Sequence, residues 1–105
     1  MDPDGVTVEA EFTGAHLLHL ATAGCVLNDV YREAPAFGIT LNGVRVSAEG
    51  DFDSATWRTN GISYVVELDS EADAEQVGEL LRRVDEVAEI PRAIRAGGPV
   101  HQRHE

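Results

Sequence analysis

Residues 14–32, GAHLLHLATAGCVLNDVYR, form the longest largely apolar stretch of the sequence and hold its only cysteine, Cys25. Apolar side chains occupy more than one side of the helical wheel, which predicts a helix buried at the centre of the fold rather than one lying on its surface. The uninterrupted apolar run from Ala23 to Leu27 falls far short of the roughly 18–20 residues needed to span a bilayer, so the stretch reads as a core helix. Thr13 stands where an N-cap hydroxyl is needed. Pro35 restricts Ala34 before it, so the helix is expected to stop near Arg32 or Glu33.

The remaining segments are arranged around this helix. Val6, Val8, Ala10 and Phe12 alternate with Thr7, Glu9 and Glu11, the period of a half-buried strand with its apolar side inward. A second strand is expected within residues 38–53, through Ile39, Leu41, Val44, Val46, Ala48 and Phe52, with a local bend at Asn42-Gly43. A third covers residues 62–68, with Ile62, Tyr64, Val66 and Leu68 on one face. Acidic residues from Asp69 onward open a second helix, as the positive end of a helix dipole favours. Val77, Leu80, Leu81, Val84 and Val87 then recur at three- and four-residue spacing, so this helix is amphipathic. Pro91 and Gly97 bracket a short third helix, and residues 99–102 read as a last edge strand. The fold class is α+β: a small antiparallel sheet carrying a long buried central helix and a second amphipathic helix.

Composition limits the function. A chain of 105 residues reads as one domain, residues 1–105, with frayed ends at 1–5 and 102–105. The formal net charge of −11, with eight scattered basic residues, all Arg, argues against phosphate-backbone binding and makes nucleic acid and anionic membrane poor partners. A single cysteine forms no internal disulfide, and the acidic start has no basic n-region, so the expected compartment is the cytoplasm.

Three stretches resemble one known family. Residues 17–25, LLHLATAGC, look like the central helix of OsmC/Ohr proteins (osmotically induced protein C and organic hydroperoxide resistance), where a Leu-rich turn leads into Ala-Gly-Cys or Ala-Ala-Cys. Residues 38–51, GITLNGVRVSAEGD, are similar to the strand after that helix. Residues 61–68, the acidic helix, Ala93-Ile94-Arg95 and Pro99-Val100 match the last third, so the resemblance runs over roughly residues 12–102. It implies two chains intertwined in a homodimer, a long helix of each buried across a shared sheet. It also implies a thiol-dependent peroxidase acting on organic hydroperoxides, with Cys25 as the peroxidatic cysteine. The family's other catalytic groups have no counterpart here. The second cysteine falls at Ala88, the helix-start Glu at Gly14-Ala15, and residues 1–13 contain no Arg to match the family's Arg; the family's first strands also have no match in the sequence.

The residues around Cys25 point the same way. A thiol acts as a nucleophile once it is a thiolate, which needs a nearby positive charge or a helix N-terminus. Cys25 sits mid-helix, and its nearest charged neighbour on the same side is Asp29, a carboxylate that opposes thiolate formation. Arg32 is placed to pair with Asp29. His16 and His19 share a helix face but lack the companions of a metal site, so no metal or cofactor is called for. His19 is the better acid–base candidate, since imidazole as a group suits proton transfer near neutral pH, and His101 and His104 are read as solvated tail residues. The candidate catalytic residues are therefore Cys25, His19 and Asp29. His16, Thr22, Tyr31, Arg32, Trp57 and Tyr64 are candidates for lining an apolar pocket. Two functions follow: a repurposed inter-subunit pocket for an apolar small molecule, used for binding or non-redox chemistry, or a one-cysteine hydroperoxide reductase relying on an external thiol.

Overall fold

A computed structural model describes residues 5–103; the expectations for residues 1–4 and for His104 lie outside them. The elements run α1 (Gly14–Glu33), a short 3-10 helix (Ala34–Phe37), β1 (Gly43–Phe52), β2 (Thr59–Asp69), α2 (Ala74–Val87) and α3 (Glu89–Ala96). β1 and β2 form an antiparallel hairpin, the whole of the sheet among the described residues, with Val44 opposite Leu68, Val46 opposite Val66 and Ala48 opposite Tyr64. The architecture is α+β, as the alternation and helical spacings require.

Local chemistry sets the helix ends. Thr13 accepts from the His16 amide at 3.1 Å and so caps α1. Pro35 does not end the chain's helical course abruptly. The turn tightens into the 3-10 helix and stops at Gly38, whose φ of 68° suits glycine. At α2 the Asp73 carboxylate accepts from the Gln76 amide at 2.8 Å, while the Gln76 side chain accepts from the Asp73 amide at 3.3 Å. This reciprocal capping box starts the helix at Ala74, after the acidic run rather than within it. Gly97, at φ 65°, closes α3.

The core lies where α1 meets α2. Val26 and Val30 pack with Leu80, Val84 and Ala88, and Ala34 and Ile39 close one end. The inward side of the hairpin adds Val44, Val46, Tyr64, Val66 and Leu68, all half-buried.

Four expectations are corrected. Residues 6–12 form no strand: Val6 and Val8 are 48% and 57% exposed and Phe12 is 89% exposed. Alternation makes a strand only where the segment pairs with a neighbouring one, and residues 6–12 make no strand pairing. Residues 99–102 likewise form no strand, and Val100 is exposed. The second strand begins at Gly43, so Ile39 and Leu41 belong to the connection from α1, with Ile39 buried in the core nonetheless. Finally, α1 is buried along one side only. His19, Thr22, Val26, Asp29 and Val30 are buried, whereas Ala21, Gly24 and Asn28 are exposed.

Candidate functional site

The open side of α1 forms the floor of a groove of about 650 Å³. Its walls are residues 5–10 on one side and residues 43–48 of β1 on the other. From α1 it receives His16, His19, Leu20, Ala23, Leu27 and Tyr31, so its floor mixes aliphatic side chains with two imidazoles and a phenol, and its walls add Glu9 and Arg45. One wall is β1 because the sheet has two strands: β2 pairs one edge and leaves the other facing the groove.

The two histidines sit together on this floor, ring centroids 6.4 Å apart and nearly perpendicular. His16 is tied down: Thr13 Oγ1 lies 2.6 Å from its Nδ1, and Glu11 lies 3.6 Å from its Nε2. Thr13 Oγ1 also accepts the His16 amide, and towards Nδ1 it donates or accepts according to the tautomer of the ring. His19 is 8% exposed, and its buried Nε2 has no hydrogen-bond partner. That nitrogen faces Gly50, where a Cβ would come within 3.2 Å of it and within 2.4 Å of the Gly61 carbonyl. Gly50 thus lets the hairpin lie directly against the imidazole, an arrangement no larger residue allows.

The remaining candidates are dispersed. Cys25 is half-buried and packs against the core of Val26, Val30 and Leu80, and it is not among the residues lining the groove. Asp29 is buried one turn further along, bonded to Arg32 Nη1 at 3.1 Å and to Asn28 Nδ2 at 3.3 Å. Thr22 turns its hydroxyl back to the Leu18 carbonyl at 3.1 Å. Trp57 lies in the loop between β1 and β2 and is 75% exposed. Among the described residues no group of three or more His, Cys, Asp or Glu is placed to hold a metal, and no helix is long and apolar enough to cross a membrane.

Tyr64 belongs to a different cluster, one that no spacing or motif marks in advance. Its hydroxyl donates to Asp85 Oδ1 on α2, and the same oxygen accepts from Arg95 Nη2 on α3 at 2.7 Å. Arg95 Nη1 also reaches the Asp85 carbonyl at 3.0 Å. Burial, then the bond to Asp85, push the Tyr64 hydroxyl well above the ordinary tyrosine range. The Tyr64 hydroxyl, then Arg95, hold the Asp85 carboxyl below the usual carboxylate range. A tyrosine held neutral in this way is a hydrogen-bond donor joining three elements, not an acid–base group poised near neutrality.

The comparisons with known proteins agree with this geometry. The family described as OsmC-like protein matches residues 7–102. No curated protein matches the sequence. Among solved structures, an OsmC-like protein from Mycoplasma pneumoniae is similar at TM-score 0.76 and 19% identity, over 83% of this chain and 64% of that one. An OsmC-like hydroperoxide resistance protein from Jannaschia sp. CCS1 is similar at TM-score 0.65 and 14% identity, over 88% of this chain and 64% of that one. The chain therefore spans 64% of the length of each of these two structures, and the likeness is one of fold.

Proposed function

The chain belongs to the OsmC-like protein family, and from that premise we propose that its groove is a repurposed small-molecule pocket at the interface of a homodimer. The pocket takes up an apolar molecule, either to bind it or for non-redox chemistry with His19 as acid–base group. One observation carries the reading: the groove collects His16, His19 and Tyr31 among the aliphatic side chains of its floor, while Cys25 lies outside it and against the core. The sequence supports the same reading, since Cys25 is the only cysteine and residues 1–13 contain no Arg. A dimer is part of the proposal because Val6, Val8 and Phe12 stand exposed beside the groove in a single chain. The test is binding of a neutral, environment-sensitive apolar dye. Wild type should bind it and brighten its emission, and Ala23→Leu, which fills the floor, should weaken binding about tenfold or more with the fold intact. Dye that ignores the wild-type protein overturns the reading.

Family membership and the fold shared with a hydroperoxide resistance protein favour a second reading, a one-cysteine hydroperoxide reductase. In it the Cys25 thiolate attacks the terminal peroxide oxygen, the O–O bond breaks, the alcohol leaves, and the sulfur becomes a sulfenic acid. An external thiol condenses with that sulfenic acid, releasing water, and a second thiol then frees Cys25 as the external disulfide forms. Turnover of an organic hydroperoxide with a small thiol, abolished in Cys25→Ser, would establish this reading. Turnover unchanged in Cys25→Ser would remove it.

A further inference from the structure

Two asparagines are followed by glycine, Asn42-Gly43 and Asn60-Gly61, and both are exposed. In such a pair the glycine nitrogen can reach the asparagine side-chain carbonyl, because the second residue carries no Cβ to stand in the way. Ring closure then depends on what holds the attacking nitrogen, and the fold treats the two pairs differently. Asn60-Gly61 lies inside β2, where the Gly61 amide donates to Thr59 Oγ1 at 3.0 Å. At the other pair it is the Asn42 amide that is engaged, donating across to the Asp69 carbonyl at 2.8 Å. Successive amides of an extended chain point to opposite sides. The Gly43 amide therefore points away from β2, towards the open edge of β1 that walls the groove. Among the described residues no strand pairs with that edge, so this amide has no ladder partner. The Asn42 side chain is equally unengaged, making no hydrogen bond among the described residues. It sits in the bend just ahead of β1, which begins at Gly43.

We infer that Asn42 is a self-modification site, deamidating ahead of Asn60 in the folded protein and altering the wall of the groove as it does so. The Gly43 nitrogen gives up its proton to solvent base and bonds to Asn42 Cγ. The Cγ–Nδ2 bond breaks, ammonia leaves, and a cyclic imide remains. Water then opens the ring at one of its two carbonyls. Opening at the side-chain carbonyl gives aspartate. Opening at the main-chain carbonyl gives isoaspartate, whose main chain runs through the former side chain. Water enters, ammonia leaves, and nothing is oxidised or reduced. Either product sets a new carboxylate beside Asp69, the residue opposite Gly43 in the ladder, in a chain whose net charge is already −11. Like charges facing each other across a strand pair are destabilising. Isoaspartate also lengthens the main chain just ahead of Gly43, where the groove wall of residues 43–48 begins. With β2 as its single partner, β1 has nothing on its other edge to hold that end in register. The modified chain therefore has a loosened wall and a weaker grip on a ligand, a consequence that rests on the reading of the groove as a binding site.

The intact chain is aged in mildly alkaline buffer, and each asparagine is followed by peptide mapping with mass spectrometry, isoaspartate being scored by isoaspartate-specific methyl transfer. Asn42 should convert first, with Asn60 about fivefold or more behind, the rate penalty of giving up the bond from Gly61 to Thr59. In the urea-unfolded chain the two should convert at similar rates, since both precede glycine. Gly43→Ala, whose Cβ meets nothing closer than the Asp69 Cβ at 3.8 Å, should keep the fold and suppress conversion at Asn42. Thr59→Val should speed conversion at Asn60. The inference is overturned if Asn60 keeps pace with Asn42 in the folded protein, if Asn42 leads by the same factor in urea, or if Gly43→Ala converts undiminished. Dye affinity, each sample measured against its own unaged state, should fall as wild type ages and hold steady in Gly43→Ala. Conversion at Asn42 with constant dye affinity overturns the effect on the groove. A wild-type protein that never binds the dye overturns the groove reading instead, and the order of conversion then judges the modification site by itself.

Discussion

The two flanks of α1 differ in how completely a single chain satisfies them. On the flank covered by α2 and α3, Val26 and Val30 meet Leu80, Val84 and Ala88 with almost no exposure. The charged groups at its rim are paired there. Arg83 reaches Glu33 at 3.3 Å, Arg32 reaches Asp29 at 3.1 Å, and Tyr64, Asp85 and Arg95 join β2 to both helices. On the groove flank a buried imidazole nitrogen has no partner, β1 has an open edge, and residues 6, 8 and 12 expose their apolar side chains. One flank is finished within the chain and accounts for its stability. The other keeps its apolar surface and hydrogen-bonding capacity available, which is where a ligand or a second chain gains the most.

The largest expected effect separates the flanks outright. Leu80→Ala removes a fully buried side chain from the closed flank and should cost about 2–5 kcal/mol of folding stability. Leu20→Ala, on the half-buried groove floor, should cost less than about 1.5 kcal/mol, because less surface returns to water. Urea titration of the two variants checks this. Equal losses would mean the groove floor is as fully packed as the core, and the contrast would fail.

Gly50→Ala probes the seam where the hairpin reaches the groove. The added Cβ would meet the Gly61 carbonyl at 2.4 Å, the His19 nitrogen at 3.2 Å and the Ile62 Cα at 3.3 Å. Two of the three are backbone, so the hairpin itself must move, at about 1–3 kcal/mol. The expected result is a loss in that range together with a changed His19 ring signal in the NMR spectrum. A neutral Gly50→Ala with an unmoved His19 would show that the hairpin lies more loosely on α1 than this packing requires.

The closed flank was also the legible one. Val77, Leu80, Leu81 and Val84 announced α2 by spacing alone, and Thr13, Pro91 and Gly97 set helix ends within a few residues of themselves. Such signals are local, and a helix answers them without help. The alternation at Val6, Val8, Ala10 and Phe12 is no weaker as a pattern, yet a strand forms only when it pairs with another, and the groove keeps this segment apart from the open edge of β1. The candidate site divides similarly. A helical wheel gives directions around α1, enough to place His16 and His19 together and away from Cys25, but it does not say which element covers each direction. Hence Thr22 and Asp29 turn out to be held by α1's own groups, and Tyr64 serves Asp85 and Arg95, residues far along the chain with no marking in the sequence.

The smallest expected effect concerns that last cluster, and it carries a pH signature. Tyr64→Phe takes one of two side-chain donors from Asp85 and leaves Arg95 in place, so the loss near neutral pH should be about 1 kcal/mol. The Asp85 carboxyl is held below its ordinary value chiefly by the Tyr64 hydroxyl, so this contribution is present above about pH 4 and fades as the pH falls through the lowered value. Tyr64 itself is raised by burial, then by Asp85, so its contribution is complete below about pH 10 and fades as the pH climbs toward the raised value. Urea midpoints measured across both limbs should therefore fall less steeply in Tyr64→Phe than in wild type at the acid end, and should lose this cluster's part of the alkaline decline. Dye binding in the groove should not change, because Tyr64 lies outside it. If Tyr64→Phe altered the groove's affinity with no change in either pH limb, the two flanks would be coupled through α1, and their separation would not survive.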